Sequence, residues 1–145
     1  MSYQASNPRF AEDIKQSFAS QSIMVLIGAE LSAVEPGIVE ITLPYRADLA
    51  QQHGFVHAGI VTTIADSAAG YAAYSLMPVG AEVLSVEFKV NLLRPARGKS
   101  FLARAEVIKP GRTLTVARSD VFGVAESGER ELIATMLATI ICLQK

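Results

Sequence analysis

Asp66 is the only acidic residue between Asp48 and Glu82, and it stands among Ile64, Ala65, Ala68 and Ala69. A carboxylate in such company loses hydration unless a polar group meets it. It reads either as a structural hydrogen-bonder or as a general base or nucleophile. Nine residues earlier stands His57, and no Ser, Thr, Asp or Asn just before Ala58 can cap a helix starting there. Gly54 lets the preceding loop turn sharply. Free N–H groups of Ala58 and Gly59, with a helix dipole behind them, would suit a carbonyl oxygen gaining negative charge. The plainer alternative is that His57 or a water caps the helix.

Nine residues of helix place His57 and Asp66 about 13 Å apart and on opposite faces. One chain cannot aim both at the same substrate atom. Either the two are unrelated, or a second copy supplies the missing half, with two such helices antiparallel about a two-fold axis. The second reading predicts an obligate dimer with two shared sites.

The elements that must position these residues follow from periodicity. Asn7 to Ala19 predicts a short amphipathic helix on Phe10, Ile14 and Phe18, with Ser6 or Asn7 as cap and Pro8 in the first turn. Two strands are expected over Val25 to Ala33 and Gly37 to Leu43, joined at Pro36-Gly37. Pro44 to Val56 reads as irregular. Ala58 to about Leu76 is the longest helix candidate, apolar almost all round and so expected to be buried on every side. Four strands follow. Val83 to Leu93 alternates strictly, with Leu84, Val86, Phe88, Val90 and Leu92 on one face and Ser85, Glu87, Lys89 and Asn91 on the other. Lys99 to Lys109 and Arg112 to Phe122 form a hairpin about Pro110-Gly111, and Glu131 to Leu143 is apolar on both faces, as an interior strand is. The expected class is α+β, one long helix against one antiparallel sheet.

Composition narrows the chemistry. At 145 residues the chain is expected to be one domain, residues 1–145, with an N-terminal helical extension over 1–20. Lys plus Arg (13) nearly cancel Asp plus Glu (14), which leaves no basic footprint for nucleic acid. A single cysteine, Cys142, builds neither a disulfide framework nor a zinc cage. Half the residues are apolar, which excludes disorder. The polar N-terminus shows no signal-peptide core, and Asp66 interrupts the best candidate for a membrane span. The expectation is a cytoplasmic protein with Cys142 reduced in a buried strand.

The run Gly54-Phe55-Val56-His57-Ala58-Gly59, followed by Ile64-Ala65-Asp66-Ser67-Ala68, resembles the hot-dog-fold acyl-CoA thioesterases of the phenylacetate-degradation (PaaI-like) type, within the 4-hydroxybenzoyl-CoA thioesterase superfamily. Their motif is Asn, then Gly and His-Gly-Gly, then Leu-Ala-Asp nine residues after the histidine. The likeness extends from Val25 to Cys142, including Val86-Glu87-Phe88-Lys89-Val90-Asn91 and Lys109-Pro110-Gly111-Arg112. It departs in two places. Gln51 replaces the asparagine that helps position the attacking water, and Ala58 replaces the first glycine after the histidine. Glutamine offers the same amide on a longer stem, and alanine keeps the backbone N–H.

The resemblance implies a hot-dog fold, a long central helix wrapped by about six strands. It also implies thioester hydrolysis without metal or cofactor. The Ala58 N–H would polarise the acyl carbonyl, His57 would fix the loop, and Asp66 of a partner chain would act as base or nucleophile. Gln51 and Ser85 would orient the water or the carboxylate, with Gly54 and Gly59 shaping the substrate loop. Arg94, Arg97, Lys109 and Arg112 are candidates for the coenzyme A phosphates. The implied assembly is a homodimer, pairing further into a dimer of dimers. Three other readings stay open: a hot-dog dehydratase or hydratase, a non-catalytic acyl-CoA-binding module, and a structural dimer in which Asp66 only satisfies buried backbone.

Overall fold

The computed structural model of the protein describes residues 2–144. Its elements run α1 (Phe10–Ser20), α2 (Ser22–Ile27), β1 (Glu30–Glu35), β2 (Ile38–Pro44), a 3-10 turn (Ala47–Leu49), α3 (Ala58–Tyr74), β3 (Glu82–Leu92), β4 (Ser100–Lys109), β5 (Leu114–Val124) and β6 (Arg130–Leu143). All six strands join one antiparallel sheet in the order β1-β2-β4-β5-β6-β3. The α+β class, the long helix and the six strands match the expectation.

α3 packs across one face of this sheet and touches every strand from β2 to β6. The reason lies in alternation and in side-chain size. Val39, Ile41 and Leu43 of β2, Phe101, Ala103 and Ala105 of β4, Ala117 and Val121 of β5, and Met136, Ala138 and Ile140 of β6 occur at every second position and are buried. They meet Val61, Ile64, Ala65, Ala68, Ala69 and Ala72 of the helix in one continuous core. The alanines bring helix and sheet backbones close. The expected cap of α1 by Ser6 or Asn7 is not found: the N-cap position is Arg9, with no side-chain cap bond, and Asn7 sits before it, its Oδ1 accepting from the Arg9 N–H at 2.9 Å and its amide donating to Asp13. Cys142 is a buried free thiol in β6, as expected.

The segment Val25 to Ala33 departs from expectation, since its first half is helical. α2 buries Met24 and Ile27, three positions apart, and Gly28 closes it in the left-handed region (φ 78°) with its N–H on the Met24 carbonyl. Packing of that short face overrides the β preference of Ile23, Val25 and Ile27.

The central helix is also not buried on every side of the single chain. Gly59 is exposed, and Thr62, Thr63, Asp66, Ser67 and Gly70 form a half-buried strip along α3. Asp66 emerges from that strip.

β3 shows the third departure. Its pairing with β6 slips between Ser85 and Glu87, which leaves Val86 as an extra residue. Ser85 therefore pairs with Ile140 and Phe88 with Ala138, both buried beneath the helix. The bulge reverses the alternation upstream: Ser85 faces α3 with Phe88, Val90 and Leu92, while Leu84 turns outward beside Ile141.

Candidate active site

The loop before α3 is pinned on several sides. Gly54, at φ 84°, closes the turn that begins at Gln51, and its N–H donates to the Gln51 carbonyl at 3.0 Å. The Tyr45 hydroxyl donates to the Gly54 carbonyl at 2.9 Å, the His57 N–H to Leu49 and the Val56 N–H to Ala96. The side chain of Gln51 turns back on this loop. Its Oε1 accepts from the His53 N–H at 2.5 Å and, at 3.4 Å, from the Phe55 N–H. Only the amide nitrogen of Gln51 is then left to donate outward.

His57 is the N-cap of α3. Its Nδ1 accepts from the Gly59 N–H at 2.8 Å, so of the two amides expected to be free, that of Gly59 is taken. Residue 59 has a steric reason to be glycine, since a Cβ there would come within 3.0 Å of that same Nδ1. The Ala58 N–H finds no acceptor among the described residues. Gln51, His57, Ala58 and Val61 line a cleft with Leu92, Arg94, Ala96 and Ile133. Arg94 donates to the Leu132 carbonyl at 3.1 Å and stands near Glu131.

Asp66 lies in a different cleft. Its Oδ1 accepts from the Ser85 hydroxyl at 2.6 Å, a contact that exists because the Val86 bulge turns Ser85 toward the helix. Ser67, Gly70, Tyr71, Val83 and Leu84 share this cleft with Ser17 and Gln21, two residues that sequence reasoning missed. No pattern in the sequence marks them, because α1 reaches Tyr71 only through tertiary packing. Tyr71 joins Phe18 as a tilted aromatic pair and anchors the contact.

The candidates thus divide. Gln51, His57, Ala58 and Arg94 line one cleft, Asp66 and Ser85 the other, and no lining residue is common to both. Gly54 shapes the loop of the first cleft and Gly59 holds its cap. Lys109 and Arg112 join neither cleft. They stand at the β4–β5 turn, whereas Arg94 sits by the start of β6, which pairs with the far end of β5. Leu132, which Arg94 contacts, pairs with Phe122, and the six steps of β5 from Val116, opposite Lys109, to Phe122 separate these ends by about 20 Å along the strand. Phe55, in the run that carries the resemblance, lies under Arg97, one of the cations considered for the coenzyme A phosphates, with the guanidinium carbon 4.8 Å from the ring centroid. Among the described residues no cluster of His, Cys, Asp and Glu could hold a metal ion. No helix there is long and apolar enough to cross a membrane.

Chemically, the first cleft offers an uncommitted N–H at a helix start and the second an oriented carboxylate. Residues 53–125 match the family model of the thioesterase superfamily. A solved thioesterase-family protein from Silicibacter pomeroyi is 53% identical, with a TM-score of 0.91 over 94% of this chain and 99% of that one. A thioesterase from Haemophilus influenzae is 26% identical, with a TM-score of 0.79 over 92% of this chain and 90% of its own. A Halobacterium salinarum relative whose name places it among esterases is 32% identical over 114 residues, 75% of each chain. The PaaI protein of the E. coli phenylacetic acid degradation operon shares the fold, with a TM-score of 0.82 at 18% identity over 93% of this chain and 94% of its own.

Proposed function

The chain belongs to the thioesterase superfamily and is a hot-dog-fold thioester hydrolase, and from that premise we propose that it cleaves acyl-CoA in a site shared by two copies of the chain. The hydrogen bond of 2.6 Å from Ser85 to Asp66 carries the catalytic part of this reading. A carboxylate held at one oxygen by a hydroxyl keeps the other oxygen directed for proton transfer, which is what a general base requires.

In the proposed reaction Asp66 takes a proton from water, and the water oxygen attacks the thioester carbonyl carbon. Charge that develops on the carbonyl oxygen is met by the Ala58 N–H at the start of α3, with the helix dipole behind it. The Gln51 amide is placed to add a second donor. This revises the role carried by the family's asparagine, because the oxygen of Gln51 is engaged by its own loop. Collapse of the tetrahedral intermediate breaks the C–S bond, and the coenzyme A thiolate takes up the proton, leaving the free acid.

The division into two clefts, one at the start of α3 and one around Asp66 further along it, supports sharing between copies. β3 supports it. It is an edge strand with Val86 53%, Phe88 42% and Leu92 56% exposed, an apolar surface that an isolated chain would leave open to pairing. Arg94, beside the Ala58 amide, is the cation we assign to the coenzyme A phosphates in this arrangement. Lys109 and Arg112, which line neither cleft, could serve there only from another copy of the chain.

The test is thiol release from a panel of acyl-CoA esters by the wild type, Asp66→Asn and Asp66→Ala, joined to subunit mixing. Asp66→Asn and Ala58→Pro chains should each be inactive alone. Mixed dimers contain one intact shared site, so an equimolar mixture should recover about a quarter of the wild-type activity. No recovery on mixing would reject the shared site. Full activity of Asp66→Asn would reject the chemistry.

A further inference from the structure

The cleft around Asp66 ends in a polar cluster that the hydrolytic chemistry does not use. The Tyr71 hydroxyl, on a residue only 6% exposed, accepts from the Gln21 amide at 2.7 Å and lies 3.0 Å from the Ser17 hydroxyl. Proton counting shows what remains. Two hydroxyls carry two protons, and the bond between them consumes one. Gln21 already donates to Tyr71, so one O–H of the Ser17–Tyr71 pair stays uncommitted whichever of the two donates to the other. The side-chain oxygen Oε1 of Gln21 likewise has no bond within the chain among the described residues.

Between Asp66 and this cluster the floor of the cleft is Gly70. A helical glycine costs about 1 kcal/mol relative to alanine. Yet a Cβ at Gly70 would meet nothing within 4 Å, so packing inside the chain does not demand glycine there. The open volume belongs to the cleft, which measures about 330 Å³ and suits a small group. No lysine or arginine lines it, whereas Arg94 lines the other cleft. The phosphate-bearing half of a substrate therefore belongs with Arg94, and the acyl group with Gly70 and Tyr71.

We propose that this pocket selects acyl thioesters whose acyl group carries an oxygen function at its far end, received by the spare O–H of the Ser17–Tyr71 pair with Gln21 as acceptor. The assignment rests on the hydrolytic reading of the Asp66 site. A plain alkyl terminus would strand those groups without water or partner, and a site built to hydrogen-bond its ligand discriminates strongly against analogues lacking the group.

The experiment compares butanoyl-, hexanoyl- and octanoyl-CoA with their terminally hydroxylated counterparts. At the best-fitting length, kcat/KM should favour the hydroxylated ester by about tenfold or more, one hydrogen bond of roughly 1.4 kcal/mol. The double variant Ser17→Ala/Tyr71→Phe, which removes both hydroxyls, should bring that ratio toward one, while Lys15→Ala, outside the cleft, should leave it unmoved. Because the readout is a ratio, a folding defect that slows both esters alike does not mimic the effect. A wild-type ratio near one at every length, or a ratio unchanged in the double variant, overturns the proposal. Calorimetric titration of Asp66→Asn with the same ester pairs separates the two readings. Selective binding beside a wild type that turns over no ester would uphold the pocket and reject the hydrolytic role. Equal binding of both esters would reject the pocket alone.

Discussion

Ala58→Pro removes one hydrogen from the site and little else. Ala58 opens α3, the helical position where proline is best accommodated. His57 before it has φ −59° and ψ 139°, the extended conformation that a residue preceding proline favours. The Ala58 N–H holds no acceptor among the described residues, so no bond seen there is lost. His57 keeps its bond from the Gly59 N–H, and its carbonyl still receives the N–H groups of Ile60 and Val61. Restricting the unfolded chain at a compatible position adds about 0.4–1 kcal/mol of stability. That is a rise in Tm of about 1–4 °C for a chain of this size. Removing one donor that faces a developing oxyanion costs about 2.7–4 kcal/mol, or about 100- to 1000-fold in kcat. The assay pairs thiol-release kinetics with calorimetric Tm. The expected signature is a large loss of kcat at an unchanged or raised Tm. Ala58→Gly, which keeps the N–H, should recover most of what proline removes. A proline variant with native Tm that retains more than about a tenth of wild-type kcat refutes the role of this amide.

Ser85→Ala removes a hydrogen bond to a charged group, worth about 1.5–3 kcal/mol when buried. Because Asp66 is half-exposed, the lower end applies, and kcat/KM should fall about tenfold with little change in Tm. His57→Ala takes away the cap of α3 and should cost about 1 kcal/mol, read as a Tm lower by about 2–4 °C, which His57→Asn should largely restore. The Arg46 guanidinium hydrogen-bonds Asp48 and holds its carboxyl below the usual carboxylate range. A depressed folded pKa gives stability that is present above the ordinary carboxylate value and is lost as pH falls through the folded one. Carboxyl NMR titration should therefore find the Asp48 midpoint low in the wild type and back in the ordinary range in Arg46→Ala.

How far the sequence alone reaches can be judged from particular residues. The interior strands were legible because their cores repeat every second position, and the β4–β5 hairpin because Pro110-Gly111 marks the turn, where the structure shows that a Cβ on Gly111 would collide with the Leu114 carbonyl. The separation of His57 from Asp66 was legible as helical arithmetic, and the two clefts reproduce it. The facing of Ser85 was not. Strict alternation in β3 puts Ser85 with Glu87 and Lys89, and only the pairing with β6 reveals that Val86 is left over. A bulge belongs to two strands at once, so no single strand carries its signal. α2 was hidden for a related reason: six residues are too few for periodicity to outvote β-branched composition. The Ser17–Gln21–Tyr71 cluster joins Tyr71 to residues fifty or more positions earlier, with nothing local to announce it.

One strand links association to chemistry in this fold. β3 is one of the two edge strands of the sheet, bears the exposed Val86, Phe88 and Leu92, and carries Ser85, the hydroxyl that orients Asp66. On the shared-site proposal a partner covers that edge and brings its own Ala58 amide to the carboxylate. Disturbing the edge then displaces Ser85 from Asp66 and removes the oxyanion donor together, while the core between α3 and β2, β4 and β5 stays packed within one chain. A charge introduced at Phe88 should accordingly abolish turnover at protein concentrations where circular dichroism still reports native strand and helix. The concentration dependence of kcat should follow the monomer–dimer equilibrium measured by sedimentation. Activity that survives in a demonstrated monomer would break that link, and with it the reason for assigning the carboxylate and the amide to different chains.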